Sequence, residues 1–266
     1  MPKRRRYYHK RTTQSTIAAL ALLFVIWAVN GISKGNLFEN NSQNNITNSR
    51  TVAKSDELSN LDFKSGESSV VYINNNKATL NPADWKSNHV EYQNLDQYNR
   101  TSGANVAYLE NHNLASDNSR ERQYVRPTAW HQKFVDGEPI INRGHLIAYS
   151  LSGGINSDGR YVGSDVGDQN NPKNLFTQTS FSNQKVQTIY EQKVRQALYD
   201  YKKVIFYAKP IFKGSELMAR GIHLQAISTD KSLNFNVYLF NVQPGVKFDY
   251  QNGRSTIDRN FDVKEP

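Results

Sequence analysis

The sequence predicts an α+β fold built on a central antiparallel sheet. One stretch has helical periodicity: Val186, Ile189, Tyr190, Val194, Ala197, Leu198 and Tyr201 recur on one face of a helix from Ser182 to Tyr201. Short β-type runs lie on both sides of it. The last of them places Leu233, Phe235, Val237 and Leu239 in the alternation of a half-buried strand. Strands and helix do not alternate as βαβ units, which argues against a parallel sheet.

In chain order, residues 1–11 hold Lys3, Arg4, Arg5, Arg6, Lys10 and Arg11 and no acid, and an apolar run from Ile17 to Val29 follows. That run is long for the core of a cleaved signal peptide and short for a comfortable span. Ala28-Val29-Asn30 matches a small-x-small cleavage site poorly, so residues 1–33 read as a signal anchor in preference to a signal peptide. The positive-inside rule keeps the basic cluster in the cytoplasm and exports everything after residue 33. The expected location is the cell membrane, single-pass with the folded part outside, or the medium if the segment is cleaved. Residues 34–58 are rich in Asn, Ser and Lys, as in Asn40-Asn41-Ser42-Gln43-Asn44-Asn45, and read as a flexible tether. Residues 59–266 remain for a single domain.

That domain opens with β-type runs at Val70–Ile73 and Lys77–Leu80 around the turn-forming Asn74-Asn75-Asn76. Ala104–Glu110 and Glu138–Ile141 are further strands, the second leading into Asn142. A polar, Gly- and Asp-rich loop runs from Gly153 to about Asn171. After the helix come Val204–Ala208, His223–Ile227 and the alternating strand around Phe235. No internal repeat is visible.

The chain contains no cysteine, which excludes disulfides, a thiol nucleophile and a thiolate zinc site. Its net charge of +9 is less informative than it looks. Six of the 33 basic residues lie in the first 11 positions, leaving 27 against 24 acids. Attraction for a polyanion therefore requires a local patch.

The motifs of serine hydrolases, zincins, nucleotide-binding loops and EF-hands are missing. Asp158, Asp165 and Asp168 share one loop without calcium-site spacing and read as solvated acids. The informative segment is Asn142-Arg143-Gly144-His145. A histidine at a strand end can aim its ring into a cleft, and Gly144 would let a backbone or a phosphate approach closely. Asn183, Gln187 and Glu191 fall four apart on the helix, drifting ~40° per step, as a polar stripe opposite the apolar face. Alone, that stripe reads as a solvated surface with Glu191 pairing to Arg195.

Together these segments resemble the DNA/RNA nonspecific endonuclease family, the ββα-metal nucleases, and within it the membrane-anchored DNA-entry nucleases and secreted DNases of Gram-positive bacteria. The family's Asp-Arg-Gly-His is matched by Asn142-Arg143-Gly144-His145, its Asn-Pro-x-Asn by Asn171-Pro172-Lys173-Asn174, and its helix-opening Asn-Gln by Asn183-Gln184; Glu191 matches the later glutamate. Leu95–Thr101 and Asn234–Gly245 add flanking similarity, so the resemblance runs from about residue 60 to the C-terminus.

The resemblance implies a ββα-metal core with flanking helices and long loops, and a metal-dependent, sequence-nonspecific endonuclease acting on extracellular double- and single-stranded DNA, with RNA as a further substrate. His145 becomes the general base and Asn183 the direct ligand of one Mg2+ ion, which Mn2+ can replace. Glu191 binds metal through water, Asn174 positions the base or the water, and Arg143 steadies a phosphate. Arg122, Arg126 and Lys173 are candidate substrate-binding residues. These residue types suit phosphodiester hydrolysis, which needs an activated water, a Lewis acid and cationic clamps. A site that reads the backbone is indifferent to sequence. Two rivals remain: a catalytically weakened nucleic-acid-binding surface protein of the same fold, supported by Asn142 in place of Asp, and a surface adhesion domain. No protein partner is indicated.

Overall fold

The computed structural model describes residues 55–115, 122–163, 166–167 and 169–266. The basic cluster, the apolar run and most of the expected tether lie outside the described residues. The tether does not extend to residue 58: Ser55–Asn60 forms a 3-10 helix whose Leu58 is 0% exposed. Its single buried leucine escapes a reading based on composition.

The strands are β1 (Val70–Tyr72), β2 (His89–Glu91), β3 (Asn105–Leu109), β4 (Phe134–Val135), β5 (Glu138–Pro139), β6 (Ile141–His145) and β7 (Leu175–Thr179). After helix α1 (Thr188–Tyr199) follow β8 (Val204–Ile211), β9 (Gly221–Ser228), β10 (Asn234–Phe240), β11 (Val246–Asp249) and β12 (Arg254–Ile257). Six strands form the central sheet in the order β1-β10-β9-β8-β3-β2, every neighbouring pair antiparallel. The α+β architecture on an antiparallel sheet is the one the sequence predicts.

Lys77–Leu80 is not a strand. Asn74, Asn75 and Asn76 all adopt positive φ, and the chain leaves them without turning back on β1. It crosses the sheet through side-chain bonds instead: Ala78 N–H donates to Asn234 Oδ1 (2.7 Å) and Thr79 N–H to Gln225 Oε1 (2.8 Å). The partner of β1 is β10, with Val70 opposite Leu239. This crossing also explains why β10 is buried on both faces after Asn234, where alternation predicts only one. Asn236, on the nominally polar face, donates its backbone N–H to Asn76 Oδ1 (3.1 Å) and lies against His223 (2.7 Å).

The other face of the sheet is covered by the helix. Val186, Val194 and Leu198 are fully buried, and Tyr190 packs on Phe235 with ring centroids 5.2 Å apart. Each such side chain contributes on the order of 1.5–3 kcal/mol through burial.

Strands β6 and β7 form a separate antiparallel ribbon in which His145 opposes Leu175 and Asn142 opposes Gln178. The long loop between them and the helix after them complete a ββα unit. Asn241, at the end of β10, ties this unit to the sheet. Its Oδ1 accepts from Thr179 N–H (2.8 Å), while its Nδ2 donates to the carbonyls of Thr177 (3.1 Å) and Ala219 (2.9 Å).

Candidate active site

The ribbon and the helix meet at an open polar cleft of about 510 Å³. Asn142, Arg143 and His145 from β6, Asn183 and Gln184 from the start of the helical segment, and Glu191 and Arg195 further along it all reach this cleft. Residues 40 positions apart in sequence thereby face one space.

His145 closes β6. Its Nε2 lies 3.2 Å from the carbonyl oxygen of Gln169. A carbonyl only accepts, so Nε2 carries the proton and the lone pair of the neutral ring belongs to Nδ1. The turn after His145 is rigid because Asn174, 0% exposed, grips it: Ile147 N–H donates to Asn174 Oδ1 and Asn174 Nδ2 donates to the Ile147 carbonyl, both at 2.9 Å. Asn174 therefore does not line the cleft. Both ends of its amide are engaged by the backbone beyond His145. Lys173 also lies outside the cleft lining, in the 3-10 turn Pro172–Asn174, where its carbonyl accepts from Asn105 Nδ2 (2.9 Å).

The helix opens with a π turn, Ser182–Gln187, before becoming α-helical at Thr188. Such wider turns are rare and concentrate at functional sites. The polar stripe it carries is not a solvated surface. Gln187 is 0% exposed, and Asn183 and Glu191 are half-buried. A chain of amides joins them. Asn142 Nδ2 donates to Asn183 Oδ1 (3.4 Å), and Asn183 Nδ2 to Gln178 Oε1 (2.9 Å). Gln178 Nε2 donates to Gln187 Oε1 (2.9 Å), and Gln187 Nε2 to Glu191 Oε1 (2.8 Å). Gln187 Nε2 also reaches the carbonyl of His145 (2.9 Å).

The carbonyl of His145 can only accept, which fixes the Gln187 NH2 as the donor and with it the direction of the amides before it in the chain. The result at Asn183 is specific: its NH2 is engaged inward, and its oxygen has only the long contact from Asn142 among the described residues. Glu191 is held by opposing influences. Burial raises its pKa, while the Gln187 hydrogen bond and the charge of Arg195 lower it, and the net shift is upward.

Gln178 and Gln187 are the site residues that the motif reading misses. Both carry neutral amides with no chemistry of their own, and both are fully buried. The signal available in the sequence was Gly144. A Cβ there would come within 2.7 Å of the Gln178 Cβ and closer still to its Oε1. The close approach that Gly144 permits is therefore by Gln178, not by a backbone or a phosphate.

Arg143 is half-buried. Its guanidinium lies 4.5 Å over the Trp130 ring, and its Nε donates to the Val125 carbonyl. Burial, then the charges of Arg126 and Arg122, hold its pKa below the ordinary guanidinium value. Arg122 and Arg126 are exposed and outside the cleft lining, yet close enough to be felt there. Among the described residues no group of three His, Cys, Asp or Glu side chains comes together. Asp158 is exposed, and Asp165 and Asp168 lie outside the described residues.

Solved structures share this architecture. NucA from Streptococcus agalactiae, determined both without metal and with magnesium bound, is 27% identical and superposes with a TM-score of 0.62 in each form. The metal-free alignment covers 76% of this chain and 95% of that one. The Sda1 nuclease with bound zinc is 21% identical over 67% of this chain and 93% of its own, with a TM-score of 0.51, and shares the fold. Residues 80–230, more than half of the sequence, match the family model for DNA/RNA non-specific endonucleases. With the ββα unit, the cleft and this match in agreement, the chain belongs to the DNA/RNA non-specific endonuclease family.

Proposed function

We propose that this nuclease is metal-dependent and indifferent to sequence, hydrolysing double- and single-stranded DNA outside the cell, with RNA as a further substrate. The observation that carries the reading is the meeting of His145, Arg143, Asn183 and Glu191 around one cleft with their orientations set by hydrogen bonds. His145 is the general base, taking a proton from the attacking water at Nδ1 while Gln169 holds the ring through Nε2. Arg143, braced by Val125 and Trp130, holds a phosphate oxygen.

The donor set fits magnesium, with manganese able to replace it. Asn183 offers an amide oxygen and Glu191 a carboxylate acting through water, which are hard oxygen donors with no thiolate nearby. When bound, the ion supplies Lewis-acid stabilisation of the charge developing on the phosphate. The magnesium-bound structure of the streptococcal relative supports this choice of ion. Nicking of a supercoiled plasmid is expected to stop in EDTA and to return with magnesium or manganese. Full activity in a metal-free preparation would remove the metal from the mechanism.

We further propose that the enzyme is held at the cytoplasmic membrane with residues 1–14 inside and the catalytic domain outside, or is secreted if the N-terminal segment is cleaved. The one-sided basic cluster before an apolar run supports this topology. No helix among the described residues is long and apolar enough to cross a membrane. Protease added to protoplasts should remove the catalytic domain, and complete protection would exclude this arrangement.

A further inference from the structure

Along one rim of the cleft runs Arg122-Gln123-Tyr124-Val125-Arg126. Exposure alternates along it: Arg122, Tyr124 and Arg126 face solvent, while Gln123 and Val125 are half-buried. Tyr124 is 73% exposed, so its ring is largely open to solvent.

The segment is held firmly in spite of that exposure. Asn170 acts as a neighbouring strand would, accepting from Tyr124 N–H at Oδ1 (3.0 Å) and donating from Nδ2 to the Arg122 carbonyl (3.2 Å). Asn170 directly follows Gln169, which receives His145. On the other side, the Val125 carbonyl accepts from Arg143. The backbone is thus pinned to Arg143 in the cleft and to Asn170, the neighbour of the residue that receives His145, and the outward side chains are presented from that base.

The chemistry of those side chains is specific. In an extended segment alternate residues stand roughly 7 Å apart along the backbone, so an arginine is carried on each side of Tyr124 at about one nucleotide's spacing. The run contains no acid. Beside burial, its two arginines each depress the pKa of Arg143, so both lie close enough to add to its field and to favour an anion beside it. Gln123 borders the catalytic cleft, while Val125 and Arg126 border a second hollow of about 320 Å³ beside Leu95, Asn99 and Pro172.

We infer that Arg122, Tyr124 and Arg126 form a landing strip for single-stranded nucleic acid, in which Tyr124 stacks on an unpaired base and the arginines hold the phosphates on either side. An exposed ring between two cations is the combination that binds single strands without reading sequence. A duplex keeps its bases stacked in pairs and offers this strip only its phosphates, so the arginines serve both forms and Tyr124 serves one. The inference rests on the nuclease reading of the cleft and adds to it a preference for the form of the substrate.

The test uses the full-length protein carrying His145→Ala, which suppresses cleavage. Binding of a fluorescent oligothymidine of about 20 nucleotides, longer than common single-strand sites, is compared by anisotropy with binding of a duplex of the same length. Tyr124→Ala is expected to weaken single-strand binding ~5- to 50-fold and to leave duplex binding within about twofold, while Tyr124→Phe, which keeps the ring, stays close to the parent. Arg122→Gln and Arg126→Gln should weaken both forms and flatten the salt dependence. Equal loss of both forms with Tyr124→Ala, or no loss of either, overturns the inference. Wild-type nicking is measured separately, so failure of the nuclease reading is seen as an inactive enzyme whatever the binding comparison gives.

Discussion

Replacing His145 with alanine is expected to lower the initial rate of plasmid nicking by at least ~10²-fold, the usual cost of losing a general base. The geometry allows little compensation. His145 is the one histidine among the described residues that line the cleft, and the turn behind it is clamped by Asn174. The informative comparison is Asn142→Asp, which restores the residue usual at the first position of the motif. Asn142 Oδ1 has only a weak 3.3 Å contact with Ser180 Oγ, whose single proton goes to the Pro139 carbonyl (2.6 Å), and its Nδ2 makes only a long 3.4 Å donation to Asn183. Both contacts of Asn142 are weak, so an aspartate has little to give up. Asn142→Asp is accordingly expected to stay within about tenfold of wild type. Both variants need to be shown folded and compared at matched magnesium. An active His145→Ala protein would overturn the mechanism. A large gain for Asn142→Asp would favour the alternative of a weakened, nucleic-acid-binding relative.

Asn183→Ala is expected to cost ~10²-fold or more, by analogy with removal of a transition-state stabiliser. Two effects contribute and can be separated. The amide oxygen that faces the cleft is lost, and the buried Gln178 Oε1 loses its donor, at a cost of about 1–3 kcal/mol in stability. A thermal melt reports the second effect, while the rate at rising magnesium concentration reports the first. Gln178→Met serves as the control, since it breaks the amide chain without removing the Asn183 oxygen. It should lower stability and loosen the orientation of Asn183, with a smaller loss of rate than Asn183→Ala. A rate for Asn183→Ala within about threefold of wild type at the same magnesium concentration would show that this oxygen does not hold the metal.

Much of the fold was legible because local periodicity records burial. The helical stripe from Val186 to Leu198 reflects a face turned to the core, although the helix ends at Tyr199 and leaves the expected Tyr201 80% exposed, and the alternation around Phe235 marks a strand whose second face is buried as well. The ribbon partner was not legible. Leu175-Phe176-Thr177-Gln178-Thr179 is buried at every position, so it shows no alternation, and two threonines and a glutamine disguise it as a loop. Lys77–Leu80 shows the opposite error, a β-type run held to the sheet by side chains instead of a ladder.

For the site, the sequence by itself determined the chemical inventory. A histidine after Arg-Gly, an asparagine opening a helix and a glutamate eight residues later are recognisable in any order of folding, because their ordered motifs belong to covalent structure. Only the tertiary structure decided what each does to its neighbours. It turned a polar helical stripe from solvent into a buried amide chain, took Asn174 and Lys173 out of the cleft wall, and gave Gly144 the task of admitting Gln178. The physical reason is that a neutral amide has no preferred role of its own. Its two donors and one acceptor oxygen take their meaning from whatever the fold brings within about 3 Å, a distance that residues 142, 178, 183 and 191 reach only after two strands and a helix have packed together.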